Sequence, residues 1–148
     1  MDINGYSITT TLLKVKEKDG RAVRSPSDAS VILNDIRDLA QEAFVVLTLN
    51  PKGHLISKHL ITLGLIDASL VHPREVFRVA IMDGASAILV AHNHPSGDVS
   101  PSQEDVCITK QLSEAGKIIG IQVMDHVIVG GQSAIYSFKE NQYGALAA

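Results

Sequence analysis

Between Ala29 and Ala40 the apolar residues Ala29, Ile32, Leu33, Ile36 and Ala40 fall at three- and four-residue steps, while Asp28, Asn34, Asp35, Arg37 and Asp38 fill the other sides. That spacing predicts a helix packed by one face. Its start is marked by Ser25-Pro26-Ser27-Asp28: a capping hydroxyl, a proline at the first helical position, and an acid where backbone N–H groups lack partners. The period then shortens. Residues 43–49 (AFVVLTL) form a β-rich run, Asn50-Pro51-Lys52-Gly53 is turn chemistry, and a second β-like run extends from His54 to Leu63, which predicts a hairpin. His72-Pro73-Arg74-Glu75 opens a second helix bearing Val76, Val79, Ala80 and Met82, and Asp83-Gly84 closes it.

Residues 87–91 (AILVA) predict a short strand buried on both faces. A loop from His92 to Val99 leads to Ser100-Pro101-Ser102-Gln103, a second capping pattern, and to a third helix reaching about Ala115-Gly116. Strands at 121–129 and 134–138, joined by Gly130-Gly131-Gln132-Ser133, complete the set. At the amino end, Tyr6 to Val15 alternates partially and precedes a charged run, predicting a strand and turn; the tail from Gln142 is small and polar enough to fray. The expected organisation is an N-terminal strand and turn over 1–24, one domain over 25–140 and a flexible tail over 141–148.

Composition narrows the function. A length of 148 residues with 45% hydrophobic and 20% charged residues suits one globular module. No apolar stretch approaches the ~18 residues of a membrane span, and Met1-Asp2-Ile3-Asn4-Gly5 lacks a signal-peptide pattern, so a cytoplasmic location is expected. Lys plus Arg number 13 against 16 for Asp plus Glu, a formal charge of -3, so no overall field draws phosphate backbones. With no Trp, three Tyr and three Phe, base-stacking surfaces have few residues to use. The lone Cys107 excludes a disulfide framework and a multi-thiolate zinc site, so any metal must use His and carboxylate. Cys107 itself is expected to be a small core residue.

The chemistry concentrates in His92-Asn93-His94-Pro95-Ser96-Gly97-Asp98-Val99-Ser100-Pro101-Ser102-Gln103-Glu104-Asp105. His92 and His94 are two apart at a strand exit, and extended backbone projects alternate side chains from one face. Asp105 follows Ser102 by three residues at a helix start, so carboxylate and hydroxyl share a face that the Pro- and Gly-containing loop can fold back onto the histidines. Two imidazoles and one carboxylate leave a tetrahedral Zn2+ one position for water, the catalytic arrangement. Attack on an amide also needs a base to take a proton and return it to the leaving amine. Glu42, Glu75, Asp98, Glu104 and Asp125 all lie within consideration, and Glu42 stands just before an apolar strand.

The pattern His92-x-His94, seven residues, Ser102, two residues, Asp105 resembles the JAMM signature of JAB/MPN metalloproteases. Val71-His72-Pro73-Arg74-Glu75, Ala91-His92-Asn93-His94-Pro95-Ser96-Gly97 and Met124-Asp125-His126-Val127-Ile128-Val129-Gly130 are similar to strings of the bacterial RadC-like branch, over about Ser25 to Phe138. The resemblance implies a JAB/MPN-like α/β domain, cytidine deaminase-like, with a mixed, mostly antiparallel sheet flanked by three helices. It implies His92, His94 and Asp105 as zinc ligands, Glu42 as general base and Ser102 as donor to a developing oxyanion. Full-length RadC proteins carry an amino-terminal helix-hairpin-helix-like region, whereas this chain begins almost directly at the JAB-like part, so DNA binding attributed to that region is not carried over.

The leading expectation is a zinc-dependent metallopeptidase or isopeptidase-like hydrolase, in which Glu42 activates water on the metal. The alternative is a non-catalytic zinc-containing interaction module working with DNA-processing proteins. The expected partner is a peptide or protein substrate; no membrane is expected, direct nucleic-acid binding would need a basic patch that the scattered Lys and Arg do not reveal, and a homodimer is left open. A Ser-His-Asp hydrolase lacks a Gly-x-Ser-x-Gly elbow and leaves the paired histidines unexplained, and no phosphate-binding loop is present. His126 and Asp125 are read as a hydrogen-bonded core pair in preference to residues edging the cleft, and His54, His59 and His72 as ordinary strand or cap residues.

Overall fold

The computed structural model describes residues 2–3, 6–7, 20–64, 71–142 and 146. Two short strands, β1 (Asp2–Ile3) and β2 (Tyr6–Ser7), pair antiparallel; the remainder of the strand expected to reach Val15 lies outside the described residues, as does most of the tail. Then follow α1 (Pro26–Ile32), β3 (Ala43–Leu49), β4 (Leu55–Leu63), α2 (Pro73–Met82), β5 (Ala87–Asn93), α3 (Gln103–Ile119), β6 (Gln122–Val129) and β7 (Ile135–Ser137). Strands β3 to β7 form one sheet in the order β4-β3-β5-β6-β7, antiparallel except where β5 runs parallel to β6. The mixed, mostly antiparallel α/β architecture matches the sequence expectation.

Period-two alternation divides the core. Phe44, Val46, Ile88, Val90 and Ile128 face α2 and α3, where they meet Phe77, Ile108 and Leu112. Their neighbours Val45, Leu47, Leu89, Ala91 and Val127 face α1 and its following turns, meeting Ala29, Leu33 and Ile36. All of β3 is buried, and so is β5 from Ile88 onward, which explains their continuous apolar runs. The edge strand β4 alternates instead and carries Lys58, paired with Asp35 at 2.6 Å.

Several boundaries differ from expectation. Helix α1 stops at Ile32 rather than near Ala40, although Leu33 and Ile36 remain buried. Asn34, Asp35 and Asp38 are weak helix formers, and the backbone continues in tight turns, Ile36 N–H to Leu33 C=O at 3.1 Å and Leu39 N–H to Ile36 C=O at 3.3 Å. Those turns send Arg37 inward, where its guanidinium donates to the carbonyls of Gly130 (2.9 Å) and Ala134 (2.7 Å). On α2 the face assigned to Met82 belongs to Phe77; Met82 is exposed, beyond the last turn that the sheet covers. Strand β5 continues through His92 and Asn93, because Asn93 still pairs with Val129 of β6. Helix α3 runs past Gly116 to Ile119 and ends at Gly120, whose φ of 84° is left-handed. Among the described residues no helix is long and apolar enough to cross a membrane.

Candidate metal centre

Strand β5 ends against the start of α3, and that junction builds the site. His92, the penultimate residue of β5, is buried with its ring stacked against Phe44 at 6.0 Å between centroids. His94 leaves the strand, anchored by its N–H to the Val129 carbonyl at 3.0 Å. The chain then turns sharply: Gly97 N–H reaches the His94 carbonyl at 2.9 Å, and Gly97 takes a φ of 85°. A Cβ on Gly130 would stand 2.5 Å from the Gly97 carbonyl oxygen, so the β6–β7 turn backs directly onto this loop and requires glycine there. Asp98 returns its carbonyl to His94, whose Nδ1–H donates to it at 2.7 Å.

Helix α3 is capped by Ser102, not by Ser100 as the sequence suggested. Ser102 Oγ accepts from Asp105 N–H at 3.1 Å, and Asp105 Oδ2 accepts from Ser102 N–H at 2.8 Å, a reciprocal capping box. The box aims the Asp105 carboxylate at the histidines. His92 Nε2 lies 3.1 Å from Asp105 Oδ1, His94 Nε2 lies 3.1 Å from Asp105 Oδ2, and the two Nε2 atoms are 3.1 Å apart. A tetrahedral zinc with arms of about 2.0–2.1 Å separates its ligand atoms by about 3.3 Å, so this cluster has the dimensions of such a cage. His92, His94 and Asp105 form the metal-competent cluster among the described residues.

The electrostatics fit a cation. Burial works to raise the Asp105 pKa, but the adjoining His92 and His94 imidazoles and the Ser102 N–H hold its carboxyl far below the usual carboxylate range. The Asp105 carboxylate pulls His94 up, against burial, and the Glu42 charge adds to that pull. Glu42 is half-buried immediately before β3, and its carbonyl accepts from Gly64 N–H at 2.8 Å. Its segment is held by Asn93, which is fully buried: Oδ1 accepts from Ala43 N–H at 2.6 Å, and the amide donates to the Gln41 carbonyl at 3.0 Å. Glu75 pairs with Arg78 at 3.1 Å, Asp98 Oδ1 accepts from Ser100 N–H at 2.9 Å, Asp125 accepts from Ser137 Oγ at 2.6 Å, and Glu104 is exposed in the first turn of α3.

The position of Cys107 overturns a sequence expectation. Asp125 and His126 are both buried and hydrogen-bonded to each other, Asp125 Oδ1 accepting from the His126 backbone N–H at 2.7 Å, while their side chains take different further partners. The His126 ring is fully buried, with Nε2 2.8 Å from His92 Nδ1 and Nδ1 2.6 Å from Thr109 Oγ1. Burial is the main cause pushing its pKa well below the ordinary histidine value. Cys107 is exposed, because the buried side of α3 runs through Asp105, Ile108, Thr109 and Leu112 and position 107 falls off it. The bland histidines are as expected: His72 caps α2 by accepting from Arg74 N–H at 3.0 Å, and His59 Nε2 lies 2.6 Å from Asp83 Oδ2.

These opposed shifts predict a bell-shaped stability profile for chelator-treated protein. His94 has a raised pKa in the folded state, so its contribution is full below about 6.5, the unfolded value, and is lost as pH rises through the folded value. His126 has a depressed pKa, so protonation of the unfolded chain lowers stability as pH falls below about 6.5. Melting temperatures measured from pH 5 to 9 (about 1.5 to 2.5 units either side of the ordinary histidine value) should therefore peak near that value. A profile rising monotonically to alkaline pH would contradict the His94–Asp105 pairing.

The chain is similar to known proteins over most of its length. A family model described as RadC-like JAB domain matches residues 23–143. A UPF0758 protein of Geobacillus sp. (strain WCH70) is 49% identical over 122 residues, 82% of this chain and 54% of the relative. A UPF0758 protein of Staphylococcus haemolyticus (strain JCSC1435) is 50% identical over 122 residues, again 82% of this chain and 54% of the relative. One from Bacillus pumilus (strain SAFR-032) is 44% identical over 135 residues, 90% of this chain and 60% of the relative. The chain thus spans about half the length of the curated relatives it matches. With a family model covering most of its residues and a His-His-Asp cage at the strand–helix junction, the chain belongs to the RadC-like JAB domain family.

Proposed function

We propose that this domain is a zinc-dependent hydrolase of peptide or isopeptide bonds. The observation that carries the reading is the convergence of His92 Nε2, His94 Nε2 and the Asp105 carboxylate at mutual distances of 3.1 Å, with an acid, Glu42, whose charge reaches His94. Three N/O donors suit zinc, and the ion would supply a Lewis acid that brings the pKa of water toward neutrality. Glu42 takes the proton from the attacking water and delivers it to the leaving amine. Ser102 Oγ already accepts from Asp105 N–H, so its own O–H proton is free to donate to the oxyanion that develops on the substrate carbonyl. His92, pinned between Phe44 and His126, and Asp105, pinned by the helix cap, hold their positions without substrate.

One feature favours the second reading, a zinc-containing interaction module that cuts nothing. Asp105 Oδ2 serves the α3 cap and the cage together, so an ion there would also secure the helix start and the loop before it. The two readings part in one experiment. Zinc-loaded protein is incubated with a library of peptides and Lys-linked isopeptides, with and without chelator. Chelator-sensitive cleavage supports the hydrolase; a chelator-induced drop in melting temperature with every substrate intact leaves only the module.

A further inference from the structure

We infer that His126 and Thr109 are positioning residues that fix the proton order of the metal cage, leaving His92 Nε2 as the ring nitrogen that offers its lone pair to the ion. The inference rests on the metal-binding part of the reading above and concerns residues outside the ligand set. Its starting point is a group whose role is unambiguous: the backbone carbonyl of Asp105 can only accept. Thr109 Oγ1 lies 2.7 Å from it and therefore spends its single hydroxyl proton there. The same Oγ1 is 2.6 Å from His126 Nδ1, so that contact is sound only if Nδ1 carries the proton and donates.

A neutral imidazole protonated at Nδ1 has its lone pair on Nε2. His126 Nε2 faces His92 Nδ1 at 2.8 Å, so His92 Nδ1 must in turn be the donor. The remaining nitrogen of His92, Nε2, is the atom that stands 3.1 Å from both His94 Nε2 and Asp105 Oδ1. The chain of donors thus runs from His92 through His126 and Thr109 to the backbone of Asp105, and it begins and ends on residues of the cage. Metal-ligating histidines are ordinarily oriented by a carboxylate or carbonyl; here a second imidazole does it, and the hydroxyl behind that imidazole selects its tautomer. With the Thr109 proton spent on the Asp105 carbonyl, reversing the order would leave no proton between His126 Nδ1 and Thr109 Oγ1 and would move the His92 proton to Nε2, in a buried setting where such a loss is costly. Stacking of His126 on Phe138, 4.7 Å between centroids, keeps the ring from swinging away.

The test combines ring-nitrogen NMR with zinc competition against a chromophoric chelator. In metal-free parent protein, 15N-labelled His126 should show a protonated Nδ1 and an unprotonated Nε2; the opposite tautomer overturns the inference whatever the zinc result. Thr109→Val should weaken zinc binding by ~10- to 100-fold and mix the His126 tautomers, while Thr109→Ser should stay within about threefold of the parent. His126→Phe, which keeps the ring stack, should show a similar loss, and His126→Gln, whose side-chain oxygen can accept from His92 Nδ1, should recover most of it. Folded Thr109→Val and His126→Phe variants that bind zinc like the parent would overturn the inference. A parent that binds no zinc would overturn the reading on which it rests, and the NMR result would still decide the proton order.

Discussion

Glu42→Gln is expected to bind zinc with the parent's affinity and to hydrolyse any amide the parent cleaves at least ~100-fold more slowly, the usual contribution of a positioned acid–base group. The substitution keeps the side chain's length and polarity and removes only its ability to take up and release a proton. It should leave the fold intact, because the segment is held through its backbone: Asn93 grips the flanking Ala43 N–H and Gln41 carbonyl, and Gly64 binds the Glu42 carbonyl. It should also lower the His94 pKa slightly, since one of the charges that raise it disappears. The decisive measurement is kcat/KM beside zinc content on the same preparation. Undiminished turnover at full metal loading would remove Glu42 as the base.

The second large effect is expected at Asp105. Asp105→Ala deletes a proposed cage ligand, one half of the α3 capping box and the partner that raises the His94 pKa. Zinc affinity should fall by about 1,000-fold or more, about 4 kcal/mol, beyond the ~10- to 100-fold typical of a lost supporting contact. Loss of the cap should cost roughly 1 kcal/mol of stability in addition. Asp105→Asn separates the two contributions. Its side-chain oxygen can still accept from Ser102 N–H, so the helix start survives, while the anionic ligand is gone. In that variant His94 returns toward its ordinary pKa, and the alkaline arm of the metal-free stability profile should flatten. Zinc affinity equal to the parent's in Asp105→Asn would show that the carboxylate is not a ligand.

Much of this arrangement was legible in the sequence for local reasons. His92 and His94 announced themselves by strand alternation, and Asp105 by its three-residue offset from Ser102 at a helix start; both are short-range regularities that pattern reading detects. The order of elements along the chain followed from run lengths and turn chemistry, while the topology came only from the family resemblance. What remained hidden depends on contacts distant in sequence. His126 meets His92 only because β5 and β6 run parallel in a register that opposes Val90 to His126, and no local period encodes that. Arg37 read as a solvent-side residue of a long helix, yet the helix ends early and the guanidinium turns inward to bind the β6–β7 turn. Asn93 lay between two eye-catching histidines, and its task of gripping the 39–43 segment becomes visible only when β3 lies beside β5.

The proposed ligands His92, His94 and Asp105 and the polar groups behind them, Thr109 and His126, come from one uninterrupted stretch spanning β5, α3 and β6, whereas the acid assigned to proton transfer stands outside it, just before β3. On the proposed reading, holding and cutting are therefore genetically separable. One codon change at position 42 would create a silent domain that still folds, still fills with metal and still looks complete by elemental assay. Zinc occupancy is thus no guide to which members of such a lineage are working enzymes; for that, the side chain just ahead of β3 must be inspected first.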